Sequence, residues 1–178
     1  VRGFAPGPAA PEELARMREL TDQAMQDGAF GLSMGLLYPP GSYAGREELV
    51  SLAHVAAGYD GLLAVHVRNE GDLVEESVQE VLEIAKDAGV RLELSHQKAV
   101  GRRNWGRARR NLDRISAARA AGQDVALDLW PYTSGSTTIT ALLPGWALEG
   151  GPEQAVQRLQ DPAERKLIVE AVRRGALE

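Results

Sequence analysis

The sequence predicts an α/β architecture built on a parallel sheet, and three observations predict it. Short apolar runs of strand length alternate with longer stretches of helical periodicity, four times over. Each helical stretch closes on a glycine, and each apolar run opens into a polar loop. The runs begin near residues 30, 62, 91 and 125, a recurrence of roughly 30 residues that suits one βα unit. Strands separated by helices pair in parallel through right-handed crossovers. The repeat fits part of a (β/α)8 barrel, whose full circuit takes about 250 residues, and equally a doubly wound sheet. Spacing alone does not separate the two.

Val1 to Ala10, rich in Pro, Gly and Ala, reads as an entry loop. Pro11 opens the first helix at a position that tolerates its missing N–H, and Leu14, Met17, Thr21, Ala24 and Met25 follow at helical spacing to Gly28. Phe30 to Met34 is a first strand. Gly35 to Gly45, with Pro39-Pro40-Gly41, is a loop. Arg46 to Ala57 is a helix with Leu49, Leu52, Ala53 and Ala56 on its buried face. After the strand Leu62–His66, Asp72 and Glu75 stand at capping-box spacing. Val74, Val78, Val81, Leu82 and Ala85 then form a buried helix face that stops at Gly89. Val90 to His96 is the third strand, and Ala108, Leu112, Ile115 and Ala118 mark the next helix. Val125 to Leu129 is the fourth strand, ended by Pro131. Residues 1–138 are expected to form one domain, a partial barrel. Residues 139–178, with helices starting at Pro152 and Pro162, are expected to begin an inserted helical segment.

The chain has 178 residues, 44% of them hydrophobic and 25% charged, which is the composition of an ordinary globular domain able to bury a core. No apolar run reaches the length of a bilayer. There is no Cys, so disulfides, thiolate zinc sites and cysteine nucleophiles are excluded within this chain, and a cytoplasmic location is expected. A net charge of -5 argues against nucleic acid as the main partner. The arginines 102, 103, 107, 109, 110 and 114 are interleaved with apolar residues and read as the solvated face of a helix. The chain begins at Val1 and stops at Glu178 just after a helical stretch, so a piece of a longer polypeptide is expected.

In either α/β fold, ligands bind at the carboxyl ends of the strands, where His66 and His96 stand. Alternation puts Leu62, Ala64 and His66 on the interior face and Leu63, Val65 and Val67 against the helices. Two imidazoles at the mouth could offer nitrogens to a metal, or be hydrogen-bonded core histidines; the residues leave both open. The same alternation places Ala126 and Asp128 inward, with Val125, Leu127 and Leu129 toward the helices. An inward carboxylate is costly unless paired, so Asp128 is expected to orient a histidine or to contact substrate. Applied to the third strand, alternation sends Leu92, Leu94 and His96 inward and leaves Arg91 and Glu93 facing the helices. Lys98 could enter the same mouth and pair with an anionic substrate, or stay a solvated loop lysine. Tyr38 and Tyr132 are similar cases, and His54 has no assigned role. No P-loop, GxGxxG, GxSxG or HExxH is present.

Several phrases together resemble one family. They are Gly31-Leu32-Ser33-Met34-Gly35-Leu36-Leu37-Tyr38-Pro39-Pro40-Gly41, His66-Val67-Arg68-Asn69-Glu70-Gly71, Ser95-His96-Gln97-Lys98, Asn104-Trp105-Gly106 and Trp130-Pro131-Tyr132-Thr133-Ser134-Gly135-Ser136-Thr137. In order and spacing they are similar to the middle of the N-acyl-D-amino-acid deacylases (D-aminoacylases) of the amidohydrolase superfamily. The resemblance runs from about Pro11 to Gly151. It implies a metal-dependent (β/α)8 TIM barrel, with this chain covering about strands four to seven. It implies zinc, with His66 and His96 as ligands and Lys98, Tyr38 and Tyr132 lining the substrate pocket. The implied reaction hydrolyses the amide of an N-acyl-D-amino acid to a carboxylate and a D-amino acid.

The chain departs from the family pattern where the family has a His-x-His pair and a metal-binding cysteine, neither of which is present. The family's catalytic aspartate is expected beyond Glu178, so no catalytic residue is assigned within this chain and the chain alone is expected to be inactive. Val65 and Val67 stand where Thr and Met are usual, and Gln97 where Leu is. Two other readings remain at this level. One is a non-catalytic half-barrel that self-associates through open sheet edges. The other is an amidohydrolase acting on cyclic amides.

Overall fold

The computed structural model describes residues 1–174; the last four residues of the expected helical tail lie outside the described residues. Four parallel strands, β1 (Gly31–Gly35), β2 (Leu62–His66), β3 (Arg91–Gln97) and β4 (Val125–Leu129), form one sheet in the order β1-β2-β3-β4. Between them run α2 (Arg46–Ala57), α3 (Val74–Ala88) and α4 (Arg107–Ala120), with α1 (Pro11–Gln26) ahead of β1. The alternation of strand and helix is therefore the one the sequence predicts. Phe30 is the exception at the first boundary: it is 95% exposed and β1 starts one residue later.

The core lies on one face of the sheet. Leu63, Val65 and Val67 of the β2 segment, Leu92 and Leu94 of β3 and Val125 of β4 point into it, against Leu49, Ala53, Ala56, Val78, Val81, Leu82 and Ala85 from α2 and α3. Each fully buried aliphatic side chain of this kind contributes about 1.5–3 kcal/mol relative to exposure. The strands pack tightly edge to edge as well. A Cβ on Gly31 would stand 1.9 Å from the Leu62 carbonyl oxygen, so only glycine fits opposite Leu62. The opposite face of the sheet is not covered by a second helix layer among the described residues, and Leu62, Ala126 and Asp128 are exposed there.

Three expectations are corrected by this packing. In β3, Leu92 and Leu94 face the helices, and Arg91 and Glu93 lie on the open face. The register explains it: Leu94 pairs with Leu127 but Gln97 pairs with Leu129, so β3 carries one extra residue, a β-bulge that resets the alternation before His96. Leu129 does not pack on the helices but is 62% exposed, because it ends β4 beyond Leu127, the last β4 residue against the core. In α4 the burial falls on Asn111 and Ile115, while Leu112 is 38% exposed.

Asp72 and Glu75 do not form a capping box. The cap of α3 is Leu73, and Asn69 Oδ1 closes the preceding turn by accepting from the amides of Gly71 (2.8 Å) and Leu73 (3.1 Å). The Asp72 carboxylate instead accepts from Arg103 Nε (2.7 Å) and Asn104 Nδ2 (2.9 Å). Glu75 takes Arg110 and Arg114 of α4, at 2.6 and 3.2 Å. Much of the arginine series is thus engaged with α3 rather than left to solvent. Beyond β4, α5 (Pro152–Gln160) and α6 (Pro162–Arg173) start at the two expected prolines, and Asp161 caps α6 by accepting from the amides of Ala163 and Glu164. Tyr43 Oη donates to the Gly145 carbonyl (3.1 Å), which ties this tail to the loop after β1.

Candidate metal centre

The carboxyl ends of β2 and β3 bring His66 and His96 together. His66 reaches the open face by plain alternation between the buried Val65 and Val67. His96 reaches it through the bulge, with φ at +39°, a conformation non-glycine residues rarely hold without support. The support is on β4: the Asp128 carboxylate accepts a hydrogen bond from the His96 backbone amide. Asp128 therefore acts on the main chain of a histidine rather than on its ring. The two imidazoles lie 4.5 Å apart between centroids, and His66 Nδ1 is in direct hydrogen-bond contact with His96 Nε2.

Burial lowers the pKa of His66 from its ordinary value, and the neighbouring charge on His96 lowers it further, against a smaller opposing pull from Glu70. The shift favours the neutral imidazole, the form that can offer a lone pair to a metal. On the same face, burial and the nearby Asp128 raise the pKa of Glu93.

Lys98 does not stand free. Its Nζ donates to Glu70 Oε1 (2.6 Å) and to the His96 carbonyl (3.2 Å), lies 3.0 Å from His96 Nδ1, and sits 5.7 Å from the centre of the Trp130 ring. The same Glu70 oxygen is 3.1 Å from His96 Nδ1. Trp130 meets His96 edge-on at 6.3 Å, and Tyr132 stacks edge-on against Trp130 at 5.3 Å. Tyr38 shares a 2.8 Å hydrogen bond with Thr137 Oγ1, joining the loop after β1 to the loop after β4. His96, Lys98, Tyr38 and Tyr132 all line one cavity of about 610 Å³, together with Glu70, Trp105 and Trp130. His54 lies apart, with Nδ1 against the Ala88 carbonyl.

The donor chemistry suits a metal such as zinc, and it is incomplete. Ligands of one tetrahedral zinc hold their nitrogens roughly 3.3 Å apart, and the two rings here present His66 Nδ1 and His96 Nε2 toward each other. Among the described residues, no group of three or more His, Cys, Asp or Glu side chains is placed to hold a metal ion. The two imidazoles can be two of the three protein ligands that a catalytic zinc site keeps.

Glu70, Trp130 and Arg68 were not singled out from the sequence. Arg68 pairs with Glu80 at 2.9 Å and donates to the carbonyls of Ser42 (2.8 Å) and Ala44 (3.2 Å), which anchors the loop that carries Tyr38. A charged residue two or four places after a strand-end histidine was the available signal. Its partners, 12 to 28 residues away in the chain, were not visible.

No protein-family model matches the chain. It is 46% identical over 139 residues to an N-acyl-D-glutamate deacylase of Alcaligenes xylosoxydans xylosoxydans, covering 78% of this chain and 28% of that protein. It is 40% identical over 131 residues to a D-aminoacylase of the same organism, covering 74% of this chain and 27% of that protein. The chain therefore spans little more than a quarter of the length of the relatives it matches. Among solved structures it superposes with a TM-score of 0.69 and 42% identity on the N-acyl-D-glutamate deacylase of Bordetella bronchiseptica, covering 71% of this chain and 27% of that one. That enzyme was crystallised with zinc and a phosphonate inhibitor that mimics the tetrahedral intermediate of its reaction. A four-stranded parallel sheet and these identities make the chain a homologue of one segment of the N-acyl-D-amino-acid deacylases, within the amidohydrolases.

Proposed function

We propose that this chain is part of a zinc-dependent hydrolase that cleaves the amide of N-acyl-D-amino acids. The observation that carries the reading is the convergence of His66 Nδ1 and His96 Nε2 from neighbouring parallel strands at the carboxyl end of the sheet. The likeness to the deacylases supports it. In this reading the sheet forms about strands four to seven of a (β/α)8 barrel, whose remaining strands close over its open face, and residues 139–178 begin an inserted segment. A cytoplasmic location belongs to the same proposal. Among the described residues no helix is long and apolar enough to cross a membrane.

Within the site, His66 and His96 would hold the metal, and zinc there would supply Lewis-acid polarisation of the acyl carbonyl and acidify water for attack. Asp128 fixes the backbone of His96. Lys98, Tyr38 and Tyr132 face the cavity and bind the polar groups of the substrate, while Trp105 and Trp130 give it an apolar wall.

The test uses the full-length gene product. Bound zinc and release of D-amino acid from N-acetyl-D-amino acids are measured for the parent, His66→Ala and His96→Ala. The expected result is a zinc-containing parent with activity, and loss of both properties in each variant. A parent whose zinc content and turnover are untouched by either substitution overturns the proposal.

A further inference from the structure

Tyr38 reaches the cavity from a loop that has no strand or α-helix of its own between β1 and α2. At its start the loop folds back on β1. A Cβ on Gly41 would stand 2.5 Å from the Gly35 carbonyl oxygen, so only glycine lets the chain return this closely. Its far end is held from outside. Arg68, in the loop after β2, donates from Nη1 to the Ser42 carbonyl (2.8 Å) and from Nη2 to the Ala44 carbonyl (3.2 Å). The Ser42 amide in turn donates to the Tyr38 carbonyl (2.9 Å). Ser42 therefore joins the guanidinium to the main chain of Tyr38 through two hydrogen bonds.

The guanidinium is itself fixed. Glu80 of α3 accepts from Nε at Oε2 (3.1 Å) and from Nη2 at Oε1 (2.9 Å), a forked pair. The two side chains are 30% and 26% exposed, so solvent screens the pair only in part. Glu80 stands between Val78 and Val81, both fully buried, and its backbone is set by the core. A lysine could match the charge of Glu80, but it lacks the planar fork that meets a carboxylate and two carbonyls together. The other end of Tyr38 is held more lightly. Its hydroxyl shares one neutral, exposed hydrogen bond with Thr137 Oγ1, which a polar group of a substrate can replace.

We propose that Arg68 is a positioning residue for substrate binding: through Ser42 it holds the backbone of Tyr38 so that the hydroxyl stays aimed into the cavity. This rests on the reading above, from which it takes the contact of Tyr38 with substrate. It adds a residue that touches neither substrate nor metal and acts on binding only through Tyr38.

Steady-state kinetics on the full-length gene product compare the parent with Arg68→Met, Tyr38→Phe and the double variant. The substrate is the N-acetyl-D-amino acid that the parent hydrolyses fastest, and bound zinc and thermal unfolding are measured on each protein. Tyr38→Phe should raise KM about 10-fold, the worth of one hydrogen bond to a polar substrate group. Arg68→Met should raise KM about 3- to 10-fold, with zinc content unchanged and little change in kcat. It should add nothing in the Tyr38→Phe background. Additive effects are what a merely structural arginine produces, and they overturn the proposal, as does a parental KM in Arg68→Met. Loss of zinc in Arg68→Met also overturns it, because Arg68 would then act on His66. Glu80→Gln removes the charge of the fork without touching either loop, and should raise KM in the same direction by a smaller factor. If Arg68→Met does not fold, the same cycle is run with Glu80→Gln and the same outcomes decide. A Tyr38→Phe variant with the parent's KM removes Tyr38 from the substrate reading, and the proposal falls with it. An additive cycle beside a raised Tyr38→Phe KM sinks the proposal alone.

Discussion

β2 and β3 lie side by side, run the same way and bury equivalent residues, yet they deliver their terminal histidines by different means. Leu63 pairs with Leu92 and Val65 with Leu94, and all four are buried against the helices. From there β2 simply alternates, and His66 falls on the open face with Val67 back in the core. β3 instead spends two residues, Ser95 and His96, where a regular strand spends one, and Gln97 is the next to turn inward. His66 thus needs no support from a side chain on another strand, whereas His96 needs one, the Asp128 carboxylate on β4. The lower parts of the two strands are interchangeable scaffold; only their ends are specialised.

The scaffold half of this comparison is open to the largest perturbation. Leu63→Ala and Leu94→Ala each remove a fully buried side chain from the same layer and should each cost about 2–5 kcal/mol in urea unfolding of the full-length protein. Both costs should fall within that range, and any difference between them reports how far each site relaxes around its cavity. A Leu94→Ala cost near zero would mean that the bulge loosens β3 down to its buried part.

The helices and strands were legible in the sequence because periodicity and glycine stops act locally. α2 runs over Arg46–Ala57 and β2 over Leu62–His66, the spans that pattern predicts. The faces of β2 could be read from alternation for the same reason. The faces of β3 could not, because a bulge is a relation between two strands and simple alternation along one strand does not place it. Arg91 and Glu93 were the warning: two charged side chains assigned to a helix layer are a conflict that an extra residue resolves. Of the candidate site, the residues that project into the mouth were visible as polar residues past strand ends. Asp128 was visible as an inward carboxylate, though not that it would grip a backbone amide. Glu70 was not, since its meaning depends on Lys98 and His96 arriving from the next loop.

The specialised half is broken more gently by Asp128→Ala. This removes the acceptor for the His96 amide and leaves β2 untouched. The hydrogen bond is solvent-accessible, so the expected cost falls below the range for charged acceptors and near that of an ordinary hydrogen bond, about 1 kcal/mol. Hydrogen exchange separates the two strands better than global stability does. The His96 amide should exchange about five times faster in the variant, the factor that 1 kcal/mol represents, with the amides of Leu63 and Val65 unchanged. Equal acceleration in both strands would show that Asp128 supports the whole sheet and not the bulge.

The smallest effect concerns how the two units are held to each other. Glu75 stands in the first turn of the helix that follows β2, and Arg110 and Arg114 belong to the helix that follows β3. Hydrogen bonding from Arg110 holds the Glu75 carboxyl below its ordinary pKa of 4.5, against a smaller opposing effect of burial. A depressed pKa means that the unfolded chain binds the proton more tightly than the folded one. The stabilisation is therefore complete above about pH 4.5 and disappears as pH falls through the lower, folded-state value. The arginines are 38–56% exposed, which screens the cluster, so Glu75→Gln should cost about 1 kcal/mol or less at neutral pH, and less in high salt. In acid, parent and variant should converge, because protonation makes the parent resemble the glutamine variant. A difference between them that persists well below pH 4 would assign the cost to altered packing of α3 on α4 rather than to the charge.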